Sequence, residues 1–203
     1  MANILLGVTG SVAAIRVPQI YQELRKRHEV KVVATKASLY FFDPDEIPTL
    51  IRDEDEWPGE RYQRGDEVVH IELRRWADLF VIAPLDANTL AKLAHGLSDN
   101  CLTCVWRAWD RSRPLILAPA MNTLMWEHPL TGRHLRQIAS DLENVSIPDA
   151  IELSGLSSWI NDHCTNLRVI APQEKELACG DVGTGAIAET SQIVHVIETA
   201  LIA

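Results

Sequence analysis

The chain has 203 residues, 47% of them hydrophobic and 23% charged, the balance of one soluble domain that at this length buries roughly 70% of the surface its unfolded chain exposes. Nineteen Lys and Arg against 28 Asp and Glu leave a net charge of −9, which gives no general field for nucleic acid or an anionic membrane, so any phosphate must be held by local geometry. Four Cys do not make a disulfide scaffold, and Met1 to Val8 has neither the basic start nor the apolar length of a signal peptide or membrane span; the expected setting is cytoplasmic or an organelle matrix.

Ile4 to Val8 is an apolar run closed by Thr9-Gly10-Ser11, which predicts a buried strand entering a tight turn. Ala13, Val17, Ile20 or Tyr21 and Leu24 recur at helical spacing, with Arg25-Lys26-Arg27 at the C-terminal end and Pro18 expected to kink the helix. Val30 to Ala34 is a second β-branched run, and strand, helix, strand with short links opens a doubly wound sheet. Leu79 to Ala83 predicts a strand. Asp86 caps a helix that stops at Gly96, and Asp99 caps another reaching Trp109. Leu115 to Ala118, a helix from about Thr131 to Ala139, a strand Leu167 to Ile170 and a last helix opened by Thr190 or Ser191 complete the alternation. The expected fold is α/β: a Rossmann-like doubly wound parallel sheet in a flavodoxin-like three-layer sandwich.

Two segments break the rhythm. Asp43 to Asp66 holds nine acidic residues and three Pro without a clear period and reads as a surface excursion, its Asp53-Glu54-Asp55-Glu56 run as a solvated loop. Asp141 to Thr165 is polar, lies between a helix and a strand that could be joined directly, and reads as an insertion within a single domain spanning 1–203.

Open parallel sheets bind ligands beyond the carboxyl ends of their strands. Four stretches arrive there: Thr9-Gly10-Ser11-Val12, Thr35-Lys36-Ala37-Ser38, Pro84-Leu85-Asp86-Ala87-Asn88-Thr89 and Pro119-Ala120-Met121-Asn122. Each is small, hydroxylated or amide-bearing. Any one is ordinary capping chemistry, but together they suit a phosphate held by backbone N–H groups. Neither Gly-x-Gly-x-x-Gly nor Gly-Lys-Ser/Thr occurs, which argues against dinucleotide and ATP sites and leaves a mononucleotide such as FMN. His70 precedes a core strand, where a capping role competes with a chemical one. Asn122 either offers its amide to a carboxylate or caps the next helix. Cys179, in a Gly-rich stretch, is a proton donor or nucleophile on a lid, or a plain loop thiol. Cys101 and Cys104 have no second pair at metal spacing and read as helix packing, so no metal centre is expected.

Gly7 to Ala14, His70-Ile-Glu-Leu-Arg-Arg-Trp-Ala-Asp78, Ala83 to Leu90, Pro119-Ala-Met-Asn122 and Ala178-Cys-Gly-Asp181 resemble the family of homo-oligomeric flavin-containing cysteine decarboxylases, in particular the branch acting on 4′-phosphopantothenoylcysteine in coenzyme A synthesis. The resemblance implies FMN against Gly10, Ser11, Val12, Thr35, Phe41, Asp86, Ala87, Asn88, Thr89 and Ala120. It implies His70 as the catalytic histidine, Asn122 as the carboxylate-binding asparagine, and Cys179 as the proton donor, with Leu177 and Ala178 beside it on a substrate clamp. It also implies a homotrimer with active sites at subunit interfaces.

The implied reaction oxidises the cysteinyl thiol to a thioaldehyde, loses CO2 into that C=S sink, and reduces the resulting aminoenethiolate to give 4′-phosphopantetheine. Against the family, 141–165 stands as an insertion of about 25 residues, Ile187 replaces a usual Met, and Gln173-Glu174-Lys175-Glu176 is more acidic than expected. The competing readings are a peptidyl-cysteine decarboxylase, a non-catalytic regulatory subunit of the phosphatase-inhibitor type, and a bare FMN-storage protein.

Overall fold

The computed structural model describes residues 1–57, 59–61, 63–176 and 182–202. Strand β1 (Asn3–Val8) leads through a 3-10 turn over Val12–Arg16, capped by Ser11, into α1 (Val17–Arg25). The single kinked helix expected here is two pieces. Proline lacks an N–H and clashes with the carbonyl four residues back, so Pro18 is accommodated in the first turn of α1, where no N–H is needed. Then follow β2 (Glu29–Ala34), the short β3 (Leu50–Ile51), α2 (Val69–Trp76), β4 (Leu79–Leu85), α3 (Ala87–His95), α4 (Cys101–Ala108) and β5 (Leu115–Pro119). The chain continues through α5 (Thr123–Trp126), α6 (Pro129–Glu143), α7 (Leu153–His163), β6 (Leu167–Val169), the hairpin strands β7 (Gln173–Glu176) and β8 (Val182–Ala186), and α8 (Thr190–Ala200).

The cap of α4 is Asn100 instead of Asp99. The Asn100 amide oxygen accepts from Thr103 N–H at 2.9 Å and Thr103 Oγ1 accepts from Asn100 N–H at 3.2 Å, while Asp99 is drawn off by Lys92 at 2.6 Å. An uncharged cap that closes a reciprocal box outcompetes a carboxylate with its own ammonium partner.

The sheet is parallel in the order β3-β2-β1-β4-β5-β6, the Rossmann-like winding. Alternation along each strand divides its side chains between two cores. Leu5, Phe80 and Ile82 face the layer of α2, α3, α4, α6 and α7, whereas Ile4, Leu6, Val8, Val81 and Ala83 face the layer of α1 and α8. Among the described residues no helix is long and apolar enough to cross a membrane.

The 141–165 stretch forms α7, which covers the edge strand β6. Leu156 and Ile160 are fully buried. The Asn161 side chain donates to Val169 O at 2.9 Å and accepts from Val169 N–H at 2.7 Å, imitating a neighbouring strand on an edge that would otherwise offer unpaired backbone groups. Glu143 accepts from the N–H groups of Thr165, Asn166 and Leu167 at 3.0, 2.9 and 2.8 Å. The segment is knitted into the core even though its sequence is polar. Ile160→Ala is expected to destabilise the protein by about 2–5 kcal/mol, the usual cost of a large cavity. Denaturant unfolding checks this, and a loss near zero would mean that α7 is peripheral to the core.

Candidate active site

The loops at the carboxyl edge are bound to one another by the residue that ends β1. Thr9 Oγ1 donates to Pro84 O at 2.9 Å and accepts from Asp86 N–H at 2.7 Å. Asp86 then caps α3 by accepting from Thr89 N–H at 2.6 Å, and Ser11 accepts from Ala13 N–H at 3.3 Å. Gly10 has to be glycine because a Cβ there would lie 2.7 Å from Ala37 Cβ. Its bare backbone lets the loop after β1 close on the Thr35–Ser38 turn. Thr35 is buried, and among the described residues its Oγ1 has no hydrogen-bond partner. A buried hydroxyl left unpaired at the mouth of a nucleotide-type loop is a group a ligand can satisfy.

Between these loops and the hairpin lies a groove of about 430 Å³, within the usual range for a cofactor. Of the sequence-predicted residues, Gly10, Ser11, Val12, Asp86, Ala87, Ala120 and Asn122 line it. Thr35 and Thr89 are buried in the loops that build it, Phe41 packs against the α1/α8 core, and Asn88 is exposed. Asn122 caps α5, its amide oxygen accepting from Leu124 N–H at 2.9 Å, so its side chain is oriented at the groove wall.

The far wall is the hairpin, and two glycines seat it. Met121 N–H donates to Gly185 O at 3.0 Å. A Cβ on Gly185 would meet Met121 O at 2.2 Å, and one on Gly183 would meet Thr123 Oγ1 at 2.6 Å. The base of β7 is anchored by a residue that sequence reasoning missed. Glu189 accepts from Arg16 at 2.9 Å, Gln173 at 2.9 Å and Lys175 at 3.2 Å, and Arg16, Gln173 and Lys175 all line the groove. Hydrogen bonds from Gln173, Arg16 and Lys175 pull the Glu189 carboxyl down to about 2. Being exposed, this network contributes geometry more than stability.

His70 does not line the groove. It sits in the first turn of α2, and its Nδ1 meets Glu56 Oε1. Glu56, in a 3-10 turn over Asp53–Glu56, is 4% exposed, so the acidic run is not simply a solvated loop. Its first member, Asp53, is half-buried and accepts from Lys36 N–H at 3.2 Å and Cys101 N–H at 3.3 Å. Burial pushes the Asp53 carboxyl up and those two amides oppose the shift. Burial and then a hydrogen bond with Glu56 push the Cys101 thiol far up, and burial also raises Cys104. Thiols held protonated are poor metal ligands and nucleophiles. Among the described residues no group of three or more His, Cys, Asp or Glu is placed to hold a metal. Leu177, Ala178 and Cys179 lie outside the described residues.

Residues 1–202 match the Flavoprotein family. The chain is 48% identical over 194 residues to the phosphopantothenoylcysteine decarboxylase of Oryza sativa subsp. japonica, covering 94% of this chain and 77% of the rice protein. It superposes on a PPC decarboxylase mutant complexed with pantothenoylaminoethenethiol with a TM-score of 0.83, at 43% identity, covering 100% of this chain and 99% of that one. The FMN binding protein AtHal3 gives a TM-score of 0.76 at 46% identity, over 98% and 95% of the two chains.

A depressed carboxyl pKa means that the Glu189 ties are complete above the ordinary value of 4.5 and are lost as the pH falls from there through about 2. Carboxyl 13C NMR of Glu189 is expected to titrate with a midpoint near 2. A midpoint at the ordinary value would mean that Arg16, Gln173 and Lys175 do not hold it in solution.

Proposed function

The chain belongs to the Flavoprotein family, and from that premise we propose that it is an FMN-dependent carboxy-lyase converting 4′-phosphopantothenoylcysteine to 4′-phosphopantetheine in coenzyme A biosynthesis. The observation that carries this reading is the groove at the carboxyl edge, where Gly10 must be bare, Asp86 and Ser11 cap helical turns, and the Thr35 hydroxyl is buried without a partner. These are small, polar, backbone-rich loops of the kind that hold a nucleotide phosphate without net positive charge. FMN would be held by Gly10, Ser11, Val12, Thr35, Phe41, the run Asp86 to Thr89, and Ala120. When bound, it supplies a two-electron sink for the thiol-bearing carbon of the substrate and returns those electrons after CO2 has left.

Direct loss of CO2 from a cysteinyl carboxylate would leave an unstabilised carbanion, so the protein's task is to hold the carboxylate while the neighbouring carbon is oxidised. Asn122 does this in our reading. Its capping bond to Leu124 N–H fixes its direction, and a fixed donor is worth more than a mobile one. His70 moves a proton during the oxidative step, and Cys179, on the clamp with Leu177 and Ala178, returns one to the decarboxylated product.

The working unit is a homotrimer in which the groove of one chain receives His70 of its neighbour. Two features support this. His70 belongs to a cluster apart from the groove of its own chain, and Val12, Ile15, Leu124 and Met125, at or beside the groove, are 45%, 60%, 74% and 49% exposed, an apolar rim suited to another subunit. A cytoplasmic location accords with Cys101, Cys104 and Cys164 all being free thiols.

Yellow purified protein is expected to release CO2 from 4′-phosphopantothenoylcysteine, and yellow protein that does not would overturn the reading. His70→Asn is expected to keep FMN but slow turnover by roughly 10²–10⁴-fold, the range for a lost acid–base group, while Cys179→Ser accumulates the oxidised, decarboxylated species. Gly10→Ala places a methyl 2.7 Å from Ala37 Cβ and is expected to weaken FMN binding by about tenfold or more. Flavin fluorescence titration measures it.

A further inference from the structure

Glu56 is the one residue of the Asp53–Glu56 turn whose side chain is withdrawn from solvent, at 5% accessibility, while Glu54 and Asp55 remain exposed. A buried carboxylate is costly unless it is paired and hydrogen-bonded. Here no lysine or arginine reaches it among the described residues. Its Oε1 meets His70 Nδ1, the Cys101 thiol at the start of α4 contacts it from another element, and Oε2 is buried without a hydrogen-bond partner among the described residues. Within those residues no hydrogen bond engages His70 Nε2, and the imidazole side chain is 20% accessible. One nitrogen of the ring therefore faces inward to a fixed acceptor and the other is left for whatever the surface meets.

We propose that Glu56 is a positioning residue for His70. By accepting the Nδ1–H it holds the neutral ring in one tautomer and one orientation, with the Nε2 lone pair presented outward. A neutral imidazole exchanges its proton between two nitrogens, and a fixed carboxylate at one of them decides which is basic. Three elements hold the carboxylate for this task. The Asp53–Glu56 turn follows edge strand β3, α2 carries His70, and α4 carries Cys101. Asp53 binds the same turn to the amides of Lys36 and Cys101, so the Glu56 backbone is fixed by the loop that also contains Thr35. This inference rests on the reading of His70 as the proton-transfer residue.

The test uses the FMN-loaded protein. Nitrogen-15 NMR of the wild type, at a pH high enough for a neutral ring, is expected to show Nδ1 of His70 protonated and Nε2 bare. The opposite tautomer, or a mixture of the two, would overturn the proposal, and this measurement stands even if variants fold poorly. Glu56→Gln keeps the shape and removes the charge. It is expected to lower kcat by roughly 10- to 100-fold, the size of effect that removing such an outer partner has elsewhere, with KM, FMN affinity and Tm close to wild type. A merely structural role would instead lower Tm and leave kcat of the folded fraction intact, which overturns the proposal. His70→Asn is run beside it. If that variant turns over like wild type, the reading of His70 fails while the NMR still decides whether Glu56 holds the ring. If it is slow and Glu56→Gln is not, the failure belongs to Glu56.

Discussion

Everything at the candidate site depends on the parallel pairing of β1 with β2 on one side and β4 on the other. In that arrangement Val8 lies beside Ala34, and Gly7 beside Ile82. Parallel strands cannot be joined by tight hairpins, so each returns through a crossover, helical in every case but the loop from β2 to β3, and all their carboxyl ends open on one edge. The turns after β1, β4 and β5 are short, each passing directly into a helical segment. Thr9 can therefore bridge the Pro84 carbonyl and the Asp86 amide with a single hydroxyl, and the loop after β1 touches the loop after β2 where a methyl group would not fit. The groove is a consequence of strand order and register before it is a consequence of any one side chain.

An acidic chain built this way uses its surplus carboxylates as acceptors for the free N–H groups at loop and helix ends. Glu143 takes three backbone amides beside β6, Asp53 takes two between β2 and α4, and Asp86 takes one at the start of α3. Glu189 takes three side chains at the base of the hairpin. Charge-assisted acceptors of this kind are stronger than neutral ones and fix direction. The net charge of −9 thus repels polyanions in bulk while many individual charges act as local staples. In the reading proposed above, such staples let an acidic surface carry a phosphate site. The groove is lined by small polar loops and by the two cations Arg16 and Lys175, and Glu189 accepts from both and keeps them in place.

The parts legible in the sequence are those whose signal is local. The buried runs of β1, β2, β4 and β5, the apolar faces of α1 and α8, and the Asp86 and Gly96 punctuation of α3 are each written within a few residues. The parts not legible depend on partners far along the chain. β3 is two residues long and exists because β2 offers it an edge. Helix α7 lies in a stretch that looks polar, yet it buries Leu156 and Ile160 and packs Leu153 and Trp159 beside them, and its Asn161 has meaning only beside Val169. In Asp53-Glu54-Asp55-Glu56 four similar side chains have two different fates, and only the packing of α2 and α4 against the turn singles out Asp53 and Glu56. Composition cannot separate a staple from a solvated charge.

The distance in function between groove and histidine cluster follows from the same topology. The groove opens over β1, β4 and β5 at the carboxyl edge, on the side closed by the hairpin, whereas His70 is delivered by α2, whose Leu73 packs in the core on the opposite face from α1 and α8. A single chain therefore carries the groove and the Glu56–His70 pair as separate features of its own rigid sheet. Bending the sheet to unite them would break registers that the buried strands enforce. In the reading proposed above, association unites them at least cost, because the rim residues Val12, Ile15, Leu124 and Met125 expose apolar surface, and covering it is favourable wherever a second copy brings a complementary face. In the trimeric reading proposed above, oligomerisation and catalysis are then one requirement. A substitution that opens the rim should abolish turnover while leaving each groove and each Glu56–His70 pair intact.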